Sequence, residues 1–283
     1  MADVIKRDEH EYLSLDEIQG ELLSMLKLAG PWLTNHGIRY SLSDGSLLGA
    51  VRHKGFIPWD DDLDIYMPRP DYERWLVLAD EFKADTGFGV SRYHDGSYHY
   101  PYAKMFNPAI RAQEDALEGV YEGYLWIDVF PIDGVPDGKD QYSSLLRYRH
   151  LRLKLISLAL AKGSSSKVKA AFKVVAQPLF RRFVNPIELS RQIDERCKAT
   201  PFETAERVAC PAFGITFAGK SIPREGFEKT VMLPFGDTEQ PCMSCWDEYL
   251  TKSYGDYMQL PPEEKRWHHP QKTWRVKEQR ERK

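Results

Sequence analysis

Acidic residues are missing from one long stretch of this chain. Residues 141–187 contain no Asp or Glu, although the 283 residues hold 42 of them. Cysteine is scarce: the four, at positions 197, 210, 242 and 245, are too few for a disulfide scaffold in a chain of this length. A reducing, cytoplasmic compartment is the expectation. Cys242 and Cys245 have the spacing of a metal-binding pair, but Cys197 and Cys210 stand thirteen positions apart, so a zinc knuckle does not follow. No apolar run reaches 18 residues, and Met1 to Glu11 is polar and charged. A membrane-spanning helix is therefore excluded and a secretory leader is not expected. The formal net charge is only −3, so no global field draws the chain to nucleic acid. With 42% hydrophobic residues, one large domain or two modest ones can be filled.

The element pattern alternates. Ser14 to Glu17 spells a capping box, and Ile18, Leu22, Leu23 and Leu26 continue it at helical spacing. Gly30-Pro31 predicts the end of that helix, with a short second one up to Gly37. Residues 38–43 read as a strand, Leu47 to His53 as a helix, and Leu63 to Met67 as a second strand closed by Pro68 and Pro70. A single amphipathic helix is predicted over Asp71 to Lys83. Strands follow at 88–93, 101–107 and 124–130, the last ended by Pro131, Gly134 and Pro136. The acid-free stretch carries Arg147, Arg149, Arg152, Lys154, Lys162, Lys167, Lys169, Lys173, Arg181 and Arg182. Gly163 and the serines after it split that stretch into two helical halves. The C-terminal third reads as loops and short elements, with a helix at Trp246 to Tyr254.

Three pieces carry chemistry. Residues 60–64 read Asp-Asp-Asp-Leu-Asp and run straight into apolar residues. In an extended chain Asp60, Asp62 and Asp64 face one way and Asp61 and Leu63 the other. Like charges crowded together resist ionisation, and a divalent cation relieves the crowding. Asp62 and Asp64 are the natural ligands, with Asp60 as a helper at the strand entrance. The second piece is Gly45-Ser46, a turn between a strand and a helix, where free N–H groups and a hydroxyl suit a phosphate. The third is Asp128, alone in the apolar run Trp126 to Phe130, where a carboxylate needs compensation. Each has a plainer alternative: a turn, a solvated acidic loop, a capping or ion-paired Asp.

Gly-Ser, then Asp-x-Asp, then a lone strand Asp resembles the nucleotidyltransferase fold. The stretch Asp44-Gly-Ser-Leu-Leu-Gly-Ala-Val-Arg-His-Lys-Gly-Phe-Ile-Pro-Trp-Asp-Asp-Asp-Leu-Asp64 resembles the signature of the LicD family, Ile127 to Gly134 its next block, and Tyr254 to Arg266 with His268-His269 its C-terminal block. The resemblance implies an α+β fold: a nucleotidyltransferase-like mixed sheet flanked by helices, with a mainly helical basic insertion and a loop-rich C-terminal part. It implies one domain over 1–283, with the core at 14–137, the basic segment at 138–200 and the C-terminal part at 201–270. The related fukutin group shares the core.

The resemblance further implies a phosphotransferase. Phosphocholine, or a related phospho-alcohol, would pass from CDP-choline or another CDP-alcohol to a sugar hydroxyl of a glycan or lipid-linked glycan, releasing CMP. Asp62, Asp64 and Asp128 would hold Mg²⁺ or Mn²⁺, which oxygen ligands favour over zinc. Gly45, Ser46, Arg52, Lys54 and Lys104 would bind the donor. Trp59, Tyr66, Tyr100, Trp126 and Trp246 are the aromatic faces available to a quaternary ammonium. The basic helices of 145–182 are expected to touch an anionic membrane peripherally, at the inner face. The alternatives are a nucleotidyltransferase attacking an α-phosphate with release of pyrophosphate, and a non-enzymatic metal- or nucleotide-binding module.

Overall fold

The computed structural model describes residues 11–114, 123–160, 182–213, 221–266 and 271–276. Helix α1 (Leu15–Asn35) opens at the predicted capping box, with Ser14 and Glu17 bonded reciprocally. It does not stop at Pro31. The ring costs one backbone bond inside the helix, but Trp32 and Leu33 beyond it are buried, and packing holds the last turn in place. The expected break and second helix are therefore one continuous helix. Then come β1 (Ser41–Leu42), α2 (Asp44–His53) and β2 (Asp64–Pro68). The helix expected over Asp71 to Lys83 is two, α3 (Arg69–Val77) and α4 (Ala79–Thr86), hinged at Leu78. On either side of Leu78, α3 buries Tyr72 and Trp75 and α4 buries Phe82.

Strand β3 (Gly89–Ser91) is short, whereas β4 (Ala103–Glu114) and β5 (Gly123–Gly134) are long. Pro131 does not end β5, because β2 pairs with β5 in parallel through Pro68↔Ile132. Helix α5 (Lys139–Leu160) packs on α6 (Pro186–Cys197) through Leu145, Ile156 and Leu160 against Ile193 and Cys197. The predicted second basic half, with Lys162, Lys167, Lys169, Lys173 and Arg181, lies outside the described residues, as do His268 and His269.

The C-terminal part is more ordered than a loop-rich region. It supplies β6 (Arg207–Ala209), β7 (Ile222–Pro223), α7 (Arg224–Glu228), β8 (Thr230–Phe235), β9 (Thr238–Met243), α8 (Trp246–Tyr254) and β10 (Gln271–Arg275). These strands complete the central sheet, whose order is β10-β4-β5-β2-β1-β9-β8. Their short, proline-bearing sequences gave little alternation to read. The sheet is mixed: β2 runs parallel to β5 and β1 to β9, while β1 and β4 oppose their other neighbours. Leu22, Met25 and Leu26 of α1 and Trp75 of α3 cover it with fully buried side chains. Each such residue contributes about 1.5–3 kcal/mol of transfer free energy.

Candidate active site

The acid run is folded as its alternation requires. Asp61 and Leu63 are buried, and Asp60, Asp62 and Asp64 are partly open. Only Asp64 belongs to a strand; residues 60–63 approach it as irregular chain, fixed by Gln19 of α1, whose side-chain amide donates to the carbonyls of Asp60 (2.7 Å) and Ile57 (3.2 Å).

Register places the next residues. Asp64 of β2 is paired with Asp128 of β5, and Asp128 with Lys104 of β4. The three lie in one row across adjacent strands, where registered side chains share a face. Lys104 is almost fully buried. Its ammonium lies 3.5 Å from the centre of the Trp126 ring, 4.9 Å from that of Tyr98 and 3.7 Å from Asp128 Oδ1. The Trp126 indole N–H donates to Asp128 Oδ2 at 3.0 Å. At Asp64 the balance is different. Burial, then the charges of Asp62, Asp128, Asp44 and Asp60, push its carboxyl well above the ordinary carboxylate range. The carboxylates around Asp64 are oxygen donors of the kind a hard divalent cation takes, although among the described residues only His36, Glu81 and Asp85 bring three ligand atoms within 4.8 Å of one another.

The start of α2 is fastened to the same point. The Ser43 N–H donates to the Asp64 carbonyl at 3.0 Å, and the Asp64 N–H donates to Ser46 Oγ at 2.9 Å. The Ser46 hydroxyl is buried and orients the Asp64 backbone, a task that the sequence does not announce. Gly45 has a local reason to be glycine: a Cβ there would stand 2.7 Å from Asp60 Oδ2. What approaches its backbone in this structure is the Asp60 carboxylate.

The other expected cations are placed differently. Arg52 gives its guanidinium to backbone carbonyls, of Tyr257 at 2.7 Å and Gln259 at 3.4 Å, and so ties α2 to the C-terminal chain. Lys54 is exposed and caps α2 in the left-handed region, with φ 58°. Of the expected aromatic residues, Trp126 and Tyr66 touch the site's carboxylates. Trp59 packs edge-on to His53 and under Arg266, Tyr100 joins a cluster with Tyr98, Tyr102 and Phe213, and Trp246 packs on the main core.

One residue of the C-terminal helix, Tyr249, belongs to this centre and was not read from the sequence. Tyr249 donates to Asp44 Oδ1 at 2.8 Å. Tyr254 keeps 37% of its surface exposed, yet burial, followed by the charges of Asp44, Asp64, Asp60 and Asp62, raises its phenol well above its usual value. The available signal was the helical repeat of α8: a tyrosine on its buried face needs a polar partner. That the partner is Asp44, 205 positions earlier, is a matter of tertiary structure. Elsewhere, His36, Glu81 and Asp85 bring ligand atoms within 4.8 Å of one another at the surface, where His36 Nε2 pairs with Glu81 at 3.2 Å.

A mixed sheet flanked by helices, with a Gly-Ser helix start and an Asp-x-Asp at its centre, defines a nucleotidyltransferase-type domain. Residues 37–116 match the family described as LicD/FKTN/FKRP, nucleotidyltransferase domain. Over 273 residues the chain is 29% identical to the lipopolysaccharide cholinephosphotransferase LicD of Haemophilus influenzae, across 93% of this chain and 98% of that protein. Two uncharacterized rickettsial proteins match shorter stretches. One from Rickettsia prowazekii is 48% identical over 70 residues, 25% of this chain and 26% of that protein. One from Rickettsia typhi is 42% identical over 62 residues, 22% of this chain and 20% of that protein. The chain is thus similar to the LicD family, to its domain over residues 37–116 and to one cholinephosphotransferase along most of its length.

Proposed function

We propose that this protein is a phosphotransferase that moves phosphocholine, or a closely related phospho-alcohol, from a CDP-activated donor to a sugar hydroxyl of a lipopolysaccharide-type glycan or its lipid-linked precursor. The observation that carries this is the crowded carboxylate centre at Asp64, opposite the Gly45-Ser46 helix start, in a chain similar along its length to a cholinephosphotransferase. In the transfer, the acceptor oxygen bonds to the phosphorus that bears the alcohol, the bond from that phosphorus to the CMP oxygen breaks, and the hydroxyl proton is lost. Such chemistry needs positioning and charge neutralisation more than covalent help from the protein.

Asp62, Asp64 and Asp128 would hold Mg²⁺ or Mn²⁺. When bound, such an ion supplies charge neutralisation at the donor diphosphate. The chain's own contributions are definite. Ser46 orients Asp64, and Trp126 and Lys104 orient Asp128. Lys104 brings a buried positive charge beside the carboxylates, and the N–H groups of Gly45 and Ser46 in the first turn of α2 suit a phosphate. The test is a panel of CDP-alcohols with Mg²⁺ and a glycan acceptor, scored by release of free CMP. Pyrophosphate release from CTP without CMP release from any CDP-alcohol would make it a nucleotidyltransferase instead.

The acceptor class gives the basic segment a role. Helix α5 turns Leu145, Ile156 and Leu160 inward and exposes Arg147, His150, Leu151 and Lys154. The 145–182 segment would rest on an anionic leaflet, which brings the site to a lipid-linked acceptor. Flotation with anionic liposomes at low salt should carry the protein upward; protein left at the bottom rejects this part.

A further inference from the structure

Asp44 is the first residue of α2 and adopts a left-handed backbone with φ 43°, unusual for a residue other than glycine. Its side chain is held from two directions. Tyr249 of α8 donates to Oδ1 at 2.8 Å and Tyr66 of β2 donates to Oδ2 at 2.7 Å. The Asp44 N–H in turn donates to the Tyr249 oxygen at 3.3 Å. The two hydroxyls lie 3.3 Å apart, and both tyrosines are buried. Tyr66 stands two residues beyond Asp64, on the same face of β2.

Both carboxylate oxygens of Asp44 are thus committed to hydroxyl donors. This is the coordination of a side chain that holds its own backbone in place. Immediately after it come Gly45 and Ser46, whose N–H groups lack intrahelical partners at a helix start. We propose that Asp44 is a positioning residue. The Tyr66–Tyr249 clamp locks it in the left-handed turn, and the turn fixes the Gly45-Ser46 amides against the donor's phosphate. The C-terminal helix thereby governs donor binding at a site made by the N-terminal half. This rests on the phosphotransferase reading for its substrate, but the clamp is measurable without turnover.

The experiment compares Tyr249→Phe, Asp44→Asn and Asp44→Ala with the full-length parent. Three quantities are read: kcat and KM for a CDP-alcohol, the calorimetric affinity for CMP, and the calorimetric affinity for Mg²⁺. Tyr249→Phe removes one hydroxyl from a buried ring and keeps its volume, so the fold survives. Donor KM and the CMP dissociation constant should each rise about tenfold, with kcat within about threefold of the parent and Mg²⁺ affinity unchanged. Asp44→Ala should lose at least as much, and Asp44→Asn should recover part, because Asn tolerates the left-handed region and still accepts a hydrogen bond. Parent-like CMP affinity in Tyr249→Phe overturns the proposal. So does a tenfold loss of Mg²⁺ affinity in Asp44→Asn, which would make Asp44 an ion ligand. If the parent turns over no CDP-alcohol, the functional reading fails, and the CMP affinities still decide the clamp.

Discussion

The same two strands carry buried charge at both ends, and the two ends are built oppositely. Asp64 and Asp128 pair near the start of β2 and within β5, while Arg69, just past β2, meets Asp133 near the end of β5. At the Arg69 end each charge has an opposite partner, although burial still leaves the Asp133 carboxyl above its ordinary value despite Arg69. Arg69 makes a bidentate bond to Asp133, with both distances 2.7 Å, and a third bond to Asp194 at 2.8 Å. Asp194 also accepts from Tyr93 and Lys198, each at 2.8 Å. Burial raises the Asp194 carboxyl, but Arg69 and Lys198 more than reverse this and hold it below its ordinary value. At the Asp64 end, burial and four neighbouring carboxylates push the same type of group upward. A fold that needs buried acids supplies their partners itself. Carboxylates gathered against one another are costly to the fold, a cost that the proposed ion would offset.

The largest expected effects separate the two ends. Asp64→Asn and Asp62→Asn should each reduce CMP release by about 10³-fold, while the melting temperature stays level or rises, because like-charge crowding is relieved. Lower melting temperatures together with intact turnover would place the Asp64 end on the structural side. Arg69→Met should do the reverse. It strands Asp133 and Asp194 and should cost about 3–5 kcal/mol of stability, read by denaturant unfolding. A loss below about 1 kcal/mol would mean that the network is dispensable. Next in size is the response to ion. Mg²⁺ at about 100 times its dissociation constant should stabilise the protein by about 2.7 kcal/mol in thermal unfolding and leave Asp64→Asn unmoved. Equal shifts in both would put the ion elsewhere.

The difference between the ends also explains what was legible in the sequence. The acid run was legible because alternation is local: Asp61 and Leu63 go inward, while Asp60, Asp62 and Asp64 stay partly open. Asp128 was legible because a charge in an apolar strand stands out. Helix α8 matches its sequence-derived range of Trp246 to Tyr254. Interactions between distant positions were not legible. Nothing around Arg69 announces Asp194, and nothing around Asp44 announces Tyr249, 125 and 205 positions away. Pro31 and Pro131 misled for the same reason. Their local cost is real, but Trp32 and Leu33 in one case and the β2 pairing in the other outweigh it.

The smallest effect concerns acid. Asp194 has a folded pKa below its unfolded one, so the stability it contributes is complete above about pH 4 and is lost as pH falls through the folded value. The group therefore releases its proton more readily in the folded state. Stability should fall with acidification more steeply in the parent than in Asp194→Asn, which has no carboxyl to protonate at this position. The Asn variant starts from a lower stability at neutral pH, since Arg69 and Lys198 lose a charged partner. Denaturant midpoints between pH 7 and pH 3 would converge for the two proteins. Parallel curves would mean that Asp194 titrates alike in the folded and unfolded chains, and that the Arg69 end is less tightly charge-matched than its short bonds imply.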